Sequence, residues 1–208
     1  MARPRSNIRT RIQHAARKRF LNEGVDGASL RRIAKDARTS IGMIYYYYPT
    51  KDDLFLAVVE EIYSVVLADL LAALDPSLPV EERIRRLYQR VGSVTEDELL
   101  VIRLVLREAL VSSKRLDRIV ELFWRGHVPL ILKLVGDGIA SGTFDDRIHP
   151  AVLFISMMAL GGPGQLMRRV LAARAPFPGI PSGAELSERM LENLLHGIGK
   201  KHPMRGET

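Results

Sequence analysis

The 208 residues contain no cysteine, which excludes disulfides, thiolate metal sites and a thiol-based redox sensor and is compatible with a reducing cytoplasm. There is no uninterrupted run of 18 apolar residues, and no apolar segment of a secretory signal follows the N-terminal arginines. The expectation is a cytoplasmic chain that neither crosses a membrane nor leaves by that route. Spacings that carry familiar chemistry are also missing: HExxH, GxSxG and a phosphate-binding loop do not occur. Gly161-Gly162-Pro163-Gly164 has only the glycines of such a loop and reads as a helix break. His127, His149 and Asp145 qualify as catalytic candidates by residue type alone, and caps, turns or surface positions are their expected places. No catalytic residue, metal ligand or cofactor is therefore expected, and the chain is not read as an enzyme.

What is present is a folded composition with an uneven charge. Hydrophobic residues make up 47% and charged residues 26%, the balance of a globular protein. The net charge of +7 lies entirely in residues 1–55, which hold 12 Lys and Arg against 5 Asp and Glu, while the other 153 residues are balanced at 19 against 19. A module that faces a polyanion is thus joined to a neutral body.

Apolar residues recur at helical spacing almost throughout and strict alternation is scarce, so the fold class is all-α. A first helix is expected over 7–22, with Ile8, Ile12, Ala15, Ala16 and Phe20 on one face and Gly24 as its left-handed stop. Ser29 and Ser40 are placed to cap two short helices, the second ended by Pro49. Thr50 to Asp53 has the form of a capping box ahead of a long helix to about Leu74, and Thr95 to Glu98 repeats it. Asp75-Pro76-Ser77-Leu78-Pro79 is a break. Further helices are expected over 80–93, 96–112, 115–140 kinked or split at Pro129, 150–173 interrupted at 161–164, and 184–198. The domains drawn from this are 1–52, a helix-turn-helix head, and 53–208, a helical body.

Two short helices joined by a tight turn are the geometry that sends a helix into the DNA major groove. Here the residues add specificity: Ile33-Ala34 is followed by Gly42-Met43-Ile44-Tyr45-Tyr46-Tyr47-Tyr48-Pro49-Thr50-Lys51-Asp52-Asp53-Leu54. Residues 5–55 resemble the N-terminal domain of the TetR family, whose pattern there is a glycine, a tyrosine three residues on, further aromatics, then a lysine and an acidic-leucine pair. The resemblance implies a three-helix DNA-binding head on a helical ligand-binding and dimerisation body, usually acting as a repressor that a small molecule releases from DNA; an activator, an architectural DNA-binding protein and a helical small-molecule enzyme are the alternative readings.

Carried to this sequence, the resemblance gives Ile41, Gly42, Met43, Tyr46 and Tyr47 as groove-facing positions behind the Ser40 cap. Arg31 is given as a support-helix residue able to donate two hydrogen bonds to a guanine edge, with Arg32 as its alternative. Lys51 is given as a phosphate contact in the first turn of the fourth helix. Tyr45 is expected between the helices and Tyr48 in the small core. Arg38 stands where the family usually ends the support helix with glycine; a positive φ costs arginine roughly 1 kcal/mol or more, so the turn is expected to differ. Arg3, Arg5 and Arg9 read either as a basic arm for a neighbouring minor groove or as a charged tail.

In the body, an apolar cavity with a few polar anchors would draw on Tyr88, Arg103, Phe123, Trp124, His127, Phe154, Met157 and Met158. By the same resemblance the helices over 150–173 and 184–198 form a two-fold dimer interface, with Leu186, Met190, Leu194, Leu195 and Ile198 giving the last helix its apolar face. A two-fold dimer sets recognition helices about 34–36 Å apart and implies a palindromic operator in double-stranded DNA. The effector is a small molecule that the sequence does not name, and no membrane partner is expected.

Overall fold

The computed structural model describes residues 5–111, 114–174 and 179–198, with side chains from 8 to 195. Among the described residues the only regular elements are helices: α1 (Arg5–Gly27), α2 (Leu30–Asp36), α3 (Ile41–Tyr47), α4 (Lys51–Ala73), α5 (Val80–Gly92), α6 (Glu96–Val111), α7 (Lys114–Trp124), α8 (His127–Ala140), α9 (Pro150–Leu160), α10 (Gly162–Arg174) and α11 (Gly183–Ile198). They fall into two compact units, residues 1–65 with 103–121 and residues 66–102 with 122–208. Helices α4, α6 and α7 each have residues in both. Compactness therefore divides the chain differently from a cut at 52/53, because 103–121 pack with the N-terminal helices.

Local chemistry accounts for the boundaries. Gly24 has φ 74° inside α1, where the helix kinks as the glycine stop anticipates. The Thr50 N–H donates to Asp53 Oδ2 (3.0 Å) and the Asp53 N–H to Thr50 Oγ1 (3.1 Å). Thr95 and Glu98 exchange the same two bonds at 2.9 and 3.3 Å, so both capping boxes are closed. Ser40 accepts from the Met43 N–H, whereas Ser29 holds the N-cap position of α2 without a side-chain bond. His149 caps α9 through Nδ1, which accepts from the Ala151 N–H.

Two expectations are corrected. The helix over 115–140 breaks at Arg125 and Gly126 rather than at Pro129. Pro129 lies in the first turn of α8, where a missing N–H forfeits no intrahelical bond. The turn between α2 and α3 also keeps the conformation that a glycine would give. Arg38 has φ 51°, its N–H donates to the Lys35 carbonyl (3.1 Å), and the Thr39 N–H donates to the Ala34 carbonyl (3.0 Å). That pair of bonds is a Schellman motif, and it satisfies carbonyls the helix end would otherwise leave open. Arginine carries the strain and the turn is unchanged.

The first unit is built on Ile12, Ala16, Phe20, Ile33, Ile44, Leu54, Phe55 and Val58, all buried, with the Phe20 and Phe55 rings edge to face at 5.8 Å. The second is built on Leu70, Ile84, Leu87, Tyr88, Ile131, Leu134, Phe144, Leu153, Met157 and Leu194. There α5 and α11 cross closely at two glycines. A Cβ on Gly183 would lie 2.6 Å from the Gly92 carbonyl oxygen, and one on Gly92 would lie 2.9 Å from the Ala184 Cα. Beside the crossing, the buried Gln165 amide donates to the Gly183 carbonyl (3.0 Å) and to Ser187 Oγ (2.8 Å).

Candidate nucleic-acid interface

Helix α3 lies on the first unit with Ile44 buried, and Tyr48 at its C-cap closes the core as expected. At about 100° per residue those two inward positions leave Ile41, Gly42, Tyr45 and Tyr46 as the outward face. All four are exposed, Tyr46 most of all at 71%. Met43 and Tyr47 sit half-buried on the flanks, and the Tyr46 and Tyr47 rings meet edge to face at 5.1 Å. Tyr45 is thus not between the helices: it follows Ile41 by one turn and shares its outward side.

Supports for this face come from several segments. Arg19 donates to Asp36 Oδ2 (2.7 Å) and to Glu23 Oε1 (2.8 Å), fastening the end of α2 to α1. Arg32 lies 3.3 Å from the Glu23 carboxylate. Arg31 is exposed and enters no ion pair among the described residues, which favours it over Arg32 as the residue able to reach out. Lys51 is half-buried, and its ammonium donates to the carbonyls of Asp26 (2.8 Å) and Ala28 (3.4 Å). An ammonium has three protons, so Lys51 ties down the end of α1 with two of them. Arg9 is exposed on α1; Arg3 and the Arg5 side chain lie outside the described residues.

Sequence reading missed Arg115. Its guanidinium donates to both oxygens of Asp26 (3.0 and 2.9 Å), to Asp52 Oδ1 (3.2 Å) and, through Nε, to Glu108 Oε2 (2.9 Å). One turn on, Arg118 donates to Asp53 Oδ1 (3.0 Å). Helix α7 is therefore pinned to the end of α1 and the start of α4, the two segments that flank the α2–α3 pair. The guanidinium beside Asp26 holds that carboxyl below the usual range. Above Gly24 the Arg107 guanidinium occupies the space a Cβ would need.

Residues 12–58 match the family model described as bacterial regulatory proteins, tetR family. The N-terminal domain belongs to the TetR family. The chain is 26% identical over 135 residues to YhgD, an uncharacterised HTH-type transcriptional regulator of Bacillus subtilis, covering 63% of this chain and 69% of that one. It is 38% identical over 63 residues to the HTH-type transcriptional repressor NicS of Pseudomonas putida, covering 30% of each. The match to NicS thus spans less than a third of that repressor. Among solved structures, a tetR-family regulatory protein from Rhodococcus RHA1 aligns over 94% of this chain and 98% of its own, with a TM-score of 0.74 and 21% identity. The transcriptional regulator FadR from Bacillus subtilis, solved with stearoyl-CoA, aligns over 91% and 98% with a TM-score of 0.74 and 18% identity. At these identities the structures establish a shared TetR-like helical fold.

In the TetR-like body, the second unit brings Tyr88, Phe154, Met157 and Met158 into one apolar cluster. The rings of Phe123 and His127 are 4.9 Å apart, and burial pushes the His127 imidazole down to about 4, so it is neutral at pH 7. Arg103 and Trp124 are exposed, and Arg103 falls in the first unit. Of the residues expected at the dimer surface, Leu194 is buried inside the unit and Met190 and Leu195 pack against the same core. Leu186 is half-buried, and the Ile198 side chain lies outside the described residues. Over 150–174 the exposed apolar side chains include Val152 and Ile155 on α9 and Met167, Val170 and Leu171 on α10; Leu71, Trp124 and Leu132 are exposed elsewhere in the unit. Pro150–Arg174, taken as one helix, is long and apolar enough to cross a membrane by length and composition. Its exposed apolar side equally suits another protein surface. No group of three or more His, Asp or Glu able to hold a metal ion occurs among the described residues.

Proposed function

We propose that the chain is a cytoplasmic transcriptional repressor that binds a palindromic operator as a homodimer and is released when its body, the helical part of 53–208, takes up a small molecule. It acts by binding rather than by turnover. The observation that carries the reading is the outward face of α3, Ile41, Gly42, Tyr45 and Tyr46, on a basic helix-turn-helix whose α2–α3 turn is closed by two backbone bonds and whose second helix is capped by Ser40. In this reading Met43 and Tyr47 touch the groove edges, Arg31 reads a base, Ser40 holds the start of α3, and Lys51 meets a phosphate. That relatives of the head include proteins named as repressors, and that a structural neighbour was solved with stearoyl-CoA, supports repression and ligand response. The second copy would dock on the exposed sides of α9 and α10, since the apolar face of α11 is already covered.

The test is selection of bound fragments from random DNA by purified protein at fixed near-physiological salt. The expected outcome is an enriched palindrome. Arg31→Ala should then cost about 1–3 kcal/mol and relax one base position, while Lys51→Ala weakens binding to every sequence and reduces the salt slope by about one. Binding that depends on salt alone, without enrichment, would refute the repressor reading. Ile155→Asp and Met167→Asp should yield monomers in sedimentation; dimers in both would move the interface elsewhere.

A further inference from the structure

Tyr88 on α5 is 2% exposed, and its hydroxyl has no hydrogen-bond partner among the described residues. Around it lie Ile84, Leu87, Ile131, Leu134, Leu153 and Met157, none of which offers a side-chain donor or acceptor. A phenol usually finds a partner when buried, and a phenylalanine would fill the same space without the cost of a stranded hydroxyl. Desolvation alone drives the Tyr88 pKa far above its ordinary value, in keeping with a hydroxyl that neither a charge nor a hydrogen bond relieves. The wall beside it is adaptable. Met157 belongs to the cluster and Met158 and Met190 pack against it, and unbranched thioether chains re-pack around a guest more readily than branched ones.

We infer that the interior of the second unit takes up a neutral, largely apolar molecule carrying a hydroxyl or carbonyl oxygen, which the Tyr88 hydroxyl anchors. This rests on the ligand-responsive reading above and gives that ligand its chemical class. An ionised guest fits less well. The buried Arg83 guanidinium is already joined to Asp137 at 2.8 Å, although its Nε has no partner among the described residues, and His127 is buried and uncharged at neutral pH, so the charge of the buried cation is already balanced by a carboxylate.

The experiment compares the full chain with Tyr88→Phe, using 1-octanol and octanoate as probes and thermal unfolding and calorimetry as readouts. Without probe, Tyr88→Phe should melt at the same temperature or higher. The wild type should bind 1-octanol more tightly than octanoate, and the substitution should weaken 1-octanol by about three- to tenfold, the worth of one hydrogen bond. A lower melting temperature for Tyr88→Phe alone would mean the hydroxyl is already satisfied, and would overturn the inference. So would equal octanol binding by both proteins, tighter octanoate binding, or no octanol binding by the wild type. Operator binding measured on the same preparation tests the regulator reading separately, so either can fail without the other.

Discussion

Arg115→Met keeps most of the side chain's aliphatic packing and removes the charged fork, so it isolates the contribution of the cluster that ties α7 to α1 and α4. The three carboxylates are not equal. The Glu108 side chain is 5% exposed, whereas Asp52 is 42% and Asp26 is 78% exposed. An exposed pair is worth about 0–1 kcal/mol because water replaces the lost partner. Breaking a buried pair costs about 3–5 kcal/mol because a charge is left where water reaches it poorly. The two bonds to Asp26 therefore matter less than the one to Glu108, although they are more numerous. Arg115→Met should lose roughly 3 kcal/mol, most of it through Glu108.

Urea unfolding followed by circular dichroism at pH 7 measures this. Adding Glu108→Gln to Arg115→Met removes the buried charge that has lost Arg115 and should recover about 2 kcal/mol, while adding Asp26→Asn should recover less than about 0.5 kcal/mol. Raising the salt to 0.5 M should change the loss little, since a buried pair is weakly screened. A loss below about 1 kcal/mol, or recovery by Asp26→Asn as large as that by Glu108→Gln, would refute the ranking of partners by burial.

Three other outcomes are expected. Arg38→Gly relieves a left-handed arginine worth about 1–2 kcal/mol but loosens the unfolded chain by about 0.5–1 kcal/mol, so its unfolding free energy from urea titration should rise by a net of roughly 0.5–1 kcal/mol; a fall would mean the turn is unstrained. Gly92→Ala should destabilise by about 1–3 kcal/mol because α5 and α11 must part, whereas Gly136→Ala, with nothing within 4 Å of the added carbon, should stabilise by up to about 1 kcal/mol; the same sign for both would contradict the close crossing. His127 titrates near 4 when folded and near 6.5 when unfolded, so acid protonates the unfolded chain first. The His127 contribution to stability should hold above pH 6.5, fall between 6.5 and 4 by no more than about 3 kcal/mol, and level off below that. The slope should vanish in His127→Gln, and an unchanged slope would assign it to other groups.

Most of the head was legible because its determinants are local. The faces of α1 and α2, the Thr50–Asp53 capping box and the Gly24 stop each depend on residues within about one turn of one another, where spacing fixes geometry. The Arg38 turn shows the limit of a local rule: propensity ranks glycine first, but the Ile33 and Ile44 packing on either side of the turn outweighs a strain of about 1 kcal/mol. Arg115 was illegible for the opposite reason. Asp52 and Asp26 lie 63 and 89 residues from it in sequence, and nothing in the spacing of a charged, amphipathic α7 says which distant carboxylates it will meet.

The same distinction explains the body. The apolar stripe of Leu186, Met190, Leu194 and Leu195 was expected to meet a second copy, but a stripe does not name its cover. The near-contact of Gly92 and Gly183 brings α11 onto α5, and the stripe is spent on the unit's own core. What remains of the expected interface is the apolar side of α9 and α10, interrupted by Gly161 and exposed at Ile155 and Met167. An exposed side of that kind favours association, which makes the oligomeric state of Ile155→Asp the measurement that separates a covered face from a merely apolar one. If that substitution leaves a dimer intact, the leftover face is not the one that pairs two copies, and the spacing of the recognition helices must be set elsewhere.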